Sequence, residues 1–142
     1  MKIALILVAL SCALNSCRGI SPDEGISPNA LAEPYVAGND TLIGFEADSI
    51  GSLPIGFSQT ATGEPQIIDW KVVDDNGNRA AAQMSANSGD YYNLLVLDKF
   101  GYRDFAMSVK IKAVAGNQDQ GGGLVWRYVN EDNYYLARFN PL

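Results

Sequence analysis

The stretch that most narrows the choice of fold is Gln120–Asn140, two aromatic-rich runs either side of the polar sequence Asn130-Glu131-Asp132-Asn133. This is the pattern of a β-hairpin. A symmetric turn would pair Val129 with Tyr134, Arg127 with Leu136 and Val125 with Arg138 on one face. It would pair Tyr128 with Tyr135, Trp126 with Ala137 and Leu124 with Phe139 on the other. Successive side chains alternate between faces, so the second face is wholly apolar or aromatic. The first carries Arg127, Arg138, Tyr134 and Asn140. One face is expected to pack on a core, and the other to offer donors and an aromatic plane to a polar ligand.

Upstream the same grammar repeats. From Thr41 onward no helix-length 3.6-residue pattern occurs, and short apolar runs alternate with turn chemistry. Thr41–Glu46 is a short candidate strand, and 54–62 is irregular. Ile67–Val73 places Ile68, Trp70 and Val72 on one face. Asp75-Asn76-Gly77-Asn78 predicts a hairpin turn, because Asn-Gly readily takes positive φ. Arg79–Ser85 returns with Ala80, Ala82 and Met84 on one side, and Tyr91–Leu97 is apolar on both faces, as a central strand would be. Phe105, Met107, Val109, Ile111 and Ala113 give the cleanest alternation, with Ser108, Lys110 and Lys112 outward. Strands at this spacing without helices predict an all-β, antiparallel β-sandwich over residues 41–142.

The N-terminus has the character of a targeting segment. Lys2 is followed by the apolar run Ile3–Leu10, too short to span a bilayer as a helix. It leads into Leu14-Asn15-Ser16-Cys17, which resembles a bacterial lipoprotein signal. That resemblance implies a signal peptide over 1–16, a lipid on Cys17 and a lipid-anchored place in the bacterial cell envelope, at the outer membrane. Ordinary cleavage nearby and an uncleaved anchor are the alternatives. Residues 17–40 repeat Gly-Ile-Ser-Pro at 19–22 and 25–28, and Pro22, Pro28 and Pro34 argue for an extended tether. Its reach as a flexible coil is roughly 25–30 Å.

Composition excludes several kinds of chemistry. Both cysteines, Cys12 and Cys17, lie in the targeting segment, so the folded part has no disulfide, no cysteine nucleophile and no thiolate metal site. The chain has no histidine, which removes histidine general bases, Ser-His-Asp catalysis and the usual zinc sites. Losing Lys2 from ten basic residues leaves nine against sixteen acidic, a net charge of −7. Such a surface is poorly suited to a polyanion, so nucleic acid is not an expected partner.

The order Phe45-Glu46, Trp70-Lys71-Val72, Tyr91-Tyr92-Asn93-Leu94, Tyr102-Arg103-Asp104-Phe105, Ser108–Lys112 and Gln120–Tyr128 resembles the concanavalin A-like jelly-roll superfamily. Within it, the series is similar to the 3-keto-disaccharide hydrolase type, related in fold to laminin G-like modules and family 16 glycoside hydrolases. The resemblance covers about residues 42–140 and implies a concave, glycan-binding sheet face. Two departures stand out. Family 16 enzymes carry a Glu-x-Asp-x-x-Glu or Glu-x-Asp-x-Glu strand motif, and Glu46-Ala47-Asp48 supplies only its first half. The paired carboxylates of retaining glycosidase chemistry are therefore not supplied. Domains of this type also continue past the equivalent of Asn140, so an incomplete sandwich, the N-terminal part of a jelly roll, is expected.

Sugars are held by planar donors and ring faces, which makes Arg127, Arg138, Tyr134 and Asn140 the candidate ligand-binding residues. Solvation or pairing with nearby acids is the competing role for the arginines. Trp70 and Trp126 are expected in the core. Gln120-Gly121-Gly122-Gly123 precedes a strand rather than a helix, so it lacks a phosphate cradle and reads as a bulge or a close backbone approach. Asp98, Lys99 and Asp104 flank a loop that could hold calcium, although their spacing favours turn capping. No other cofactor and no catalytic residue is indicated. Three functions are consistent with these features: a membrane-anchored carbohydrate-binding domain, a glycosidase-like hydrolase completed by further sequence, and an envelope protein-interaction domain.

Overall fold

The computed structural model describes residues 41–63, 67–87, 91–98, 101, 105–116 and 120–140. The expected signal, lipidation site and tether lie outside them, as do Lys99 and Tyr102–Asp104. The described residues form six strands: β1 (Phe57–Ala61), β2 (Trp70–Asp75), β3 (Asn78–Gln83), β4 (Asn93–Leu97), β5 (Gly122–Asn130) and β6 (Asn133–Phe139). They pair as β1–β4, β2–β3 and β5–β6, each a two-stranded antiparallel sheet. The fold class is thus all-β and antiparallel, with no helix among the described residues.

The β2–β3 hairpin follows directly from its turn. Asn76 and Gly77 have φ of 57° and 85°, the doubly positive conformation whose twist matches that of the flanking strands. The Gly77 N–H donates to Asp74 Oδ1 at 3.2 Å, which fixes the turn from within. In the resulting register Val72 lies opposite Ala81 and Trp70 opposite Gln83. Trp70, Val72 and Ala81 therefore share a face, while Ala80 and Ala82 face the other way and are also fully buried.

One core joins the first two sheets. Phe57 of β1, Trp70 and Val72 of β2, Ala81 of β3 and Phe45 of the preceding loop form it, flanked by Ile43, Ile68, Leu95 and Leu97. Phe45 and Phe57 pack tilted at 5.9 Å between centroids. Burying a side chain of this size contributes about 1.5–3 kcal/mol, which makes the cluster the main source of cohesion. Residues 41–46 do not form the expected strand. Phe45 instead enters a turn closed by Asp48 N–H to Phe45 O at 3.0 Å, and its ring is driven into the core. Arg79 holds this turn to β3: its backbone N–H donates to Glu46 Oε1 at 3.0 Å, and its guanidinium donates to the carbonyls of Glu46, at 2.9 Å, and of Asp48.

A second departure concerns Phe105–Ala113. Phe105, Met107 and Val109 are half-buried and Ala106, Ser108 and Lys110 exposed, as the alternation requires, but Ile111 and Ala113, expected on the inward side, are exposed. Yet the segment is not a strand, because alternation selects faces but a ladder needs a partner edge. Lys112 fastens it to the β2–β3 turn through Asp75, with Nζ to carboxylate distances of 2.7 and 3.0 Å.

Candidate functional site

The closing hairpin forms where expected, with a different register. Asn130 lies opposite Asn133, as a symmetric turn requires, but Trp126 lies opposite Tyr135 rather than Ala137. Between these two pairs β5 has three residues (Arg127, Tyr128, Val129) against one on β6 (Tyr134). Arg127 sits in this bulge with a φ of 50°. Bulges of this kind turn a strand and re-aim its side chains. Below the bulge every cross-strand pair is displaced by two positions, so Val125 meets Leu136 and Arg138 meets Gly123. An even displacement keeps the two faces distinct, and the apolar set Leu124, Trp126, Tyr135, Ala137 and Phe139 stays together.

Along β6 the more covered side is the opposite of the expected one. Along β6, Tyr134 and Leu136 are half-buried, whereas Tyr135 is 56% and Phe139 72% exposed. On β6 the Tyr134–Leu136 side is the more covered, while on β5 Leu124 and Trp126 of the aromatic face are half-buried and Arg138 itself is exposed beside Tyr92. Trp126 is accordingly not a core residue: it stacks on Tyr135 at 5.8 Å and an interplanar angle of 17°. Trp70 does occupy the core, as expected.

Where the hairpin approaches β4, a cation and three phenol rings converge. The Arg138 guanidinium carbon stands 5.4 Å from the centre of the Tyr92 ring, within cation–π range. Tyr134 lies close enough to Tyr92 to sense its hydroxyl, and Tyr128 packs on Tyr134 at 6.3 Å. Burial, then Tyr92 and Asp132, push the Tyr134 phenol above its ordinary value of 10.0. It therefore remains a neutral donor and acceptor throughout the physiological range.

Of the four residues singled out from sequence, Arg138 and Tyr134 meet at this rim. Asn140 follows β6 and is exposed. Arg127 does not join them. Arg138 lies opposite Gly123, four residues from Arg127 along β5, a separation of about 13 Å at the usual strand rise. The symmetric pairing, with Arg138 opposite Val125 and two residues from Arg127, is thus replaced by a wider separation. Tyr92 and Tyr128 were not anticipated. Tyr92 belongs to a run informative mainly about strand structure, and the symmetric pairing places Tyr128 on the apolar face, whereas in the structure it lies in the bulge.

Glu46, Asp48 and Asp98 have structural partners. Glu46 accepts from Arg79, and buried Asp48 accepts the Ile55 N–H at 3.3 Å. Asp98 accepts from the Ser58 hydroxyl at 2.9 Å, and its own N–H donates to Gly56 O at 2.8 Å, so both contacts tie the end of β4 to β1 and the residue before it rather than capping a turn. No group of three or more His, Cys, Asp or Glu that could hold a metal ion occurs among the described residues. In comparisons with known proteins, no family model, curated protein or solved structure matches the chain.

Proposed function

We propose that the rim formed by Arg138, Tyr134, Tyr128 and Tyr92 binds glycans, in a domain held at the bacterial envelope by a lipid on Cys17. The observation that carries this reading is the Arg138–Tyr92 contact with Tyr134 beside it. A fixed guanidinium supplies forked donors, neutral phenols supply hydroxyls, and ring faces suit the C–H faces of pyranoses. Arg127 and Asn140 flank the rim and would contribute to a longer ligand. The architecture proposed with it is a concanavalin A-like jelly roll, supported by the packing of β1–β4 and β2–β3 around one core. Calorimetric titration of the full chain with laminarihexaose, cellohexaose and chitohexaose tests the reading. Binding to at least one, weakened by Arg138→Ala and by Tyr134→Ala without loss of folding, is the expected result. No heat with any of them, or affinities untouched by both substitutions, would overturn it. Release of reducing ends in the same mixtures would move the assignment to the hydrolase alternative.

A second reading, an interaction domain for another envelope protein, is favoured by the outward aromatic face of the hairpin. Tyr135 is 56% and Phe139 72% exposed there, with Trp126 stacked on Tyr135, and exposed apolar patches mark interaction sites.

A further inference from the structure

We propose that Gly121 is a positioning residue of this rim: it has no side chain, and the space one would fill holds the guanidinium of Arg138. The functional weight of this assignment rests on the glycan reading above, whereas its geometry stands alone. A Cβ placed on Gly121 would lie 2.6 Å from Arg138 Nη2, 2.7 Å from Nε and 2.9 Å from Cζ. All three are closer than real Cβ atoms come to a neighbour. The backbone does not itself demand glycine here, since Gly121 is not among the residues with positive φ. What demands it is the arginine. The guanidinium thus lies both 2.9 Å or less from where a Gly121 Cβ would stand, just before β5, and 5.4 Å from the centre of the Tyr92 ring, just before β4.

Gly123, two residues on, provides the contrast. Its Cβ would meet backbone, 2.0 Å from Ala137 O and 2.8 Å from Arg138 Cα. Backbone of a paired strand cannot move aside, but the far end of an arginine can. Gly123→Ala should therefore disrupt the hairpin itself. Gly121→Ala should leave the hairpin intact and displace only the arginine.

Side-chain NMR of the full chain decides between positioning and mere tolerance of glycine. In the wild type, the Arg138 δ-methylene signals are expected upfield, shifted by the Tyr92 ring current. Tyr92→Leu and Gly121→Ala should each return them to ordinary positions, with the denaturation midpoint of Gly121→Ala unchanged. Retention of the shift in Gly121→Ala, or its absence from the wild type, would overturn the assignment. If Gly121→Ala destabilises the chain, adding Arg138→Ala must restore the midpoint, and failure to do so overturns it equally. A hexasaccharide that the wild type binds should be held about two- to five-fold more weakly by Gly121→Ala, the size of an exposed cation–π contact. Arg138→Ala should match that loss, and the double variant should add nothing to it. Should the wild type bind none of the three hexasaccharides, the glycan reading falls, while the ring-current result still decides the role of Gly121.

Discussion

At the scale of single residues, Arg127 and Arg138 show how similar side chains on one hairpin come to different fates. Arg138 lies on a regular pair and reaches Tyr92, whereas Arg127 occupies the bulge with its backbone in the left-handed region. That conformation costs an L-residue with a Cβ about 1–2 kcal/mol. Arg127→Gly is therefore expected to raise stability by about 1 kcal/mol, less what the freer unfolded chain takes back. Urea denaturation measures this directly, and a loss of stability would mean that the arginine side chain holds the bulge in place. Arg79 makes the complementary point. Its side chain joins two carbonyls of the loop that delivers Phe45, a role that no spacing in the sequence announces.

At the scale of elements, the two hairpins differ in how far local chemistry decides them. Asn76-Gly77 dictates its turn, the turn dictates the register, and the register brings Val72 and Ala81 onto one face. All of this is readable from the chain. Gly77→Ala should cost more than about 1 kcal/mol of stability, read as a lower denaturation midpoint, because a Cβ is forced into positive φ; an unchanged midpoint would show that the strands alone set the register. The closing hairpin was legible in its existence, its turn and the membership of its faces, but not in its pairing or its orientation. Two further residues are taken up between Trp126 and Asn130, and the alternation of side chains is blind to an even displacement. Which face turns inward depends on β4, far away in sequence. The same limit applies to Phe105–Ala113, whose alternation is reflected in burial only as far as Lys110 and in no ladder. Tyr92 enters the rim only through packing between elements, so no pattern local to residues 91–97 could have assigned it there.

For the molecule as a whole, cohesion is unevenly distributed. Phe45, Phe57, Trp70, Val72 and Ala81 concentrate it between the first two sheets, and the closing hairpin approaches them through β4. Phe45→Ala is expected to cost about 3–5 kcal/mol, a large fraction of the stability usual for a small domain. Chemical denaturation should find the variant largely unfolded under conditions where the wild type is folded, and a small shift would show that the Phe45 loop is an accessory to the core. The two tryptophans fall on either side of this division. Trp70 is sealed in the core, and its indole N–H has no hydrogen-bond partner among the described residues. Trp126 lies half-buried against an exposed tyrosine on the hairpin. Their fluorescence should differ accordingly, blue from the dry indole and red from the wetter one. The chain thus carries two internal optical probes, one for each part, and separate changes at the two ends of its emission band would reveal whether hairpin and core melt together.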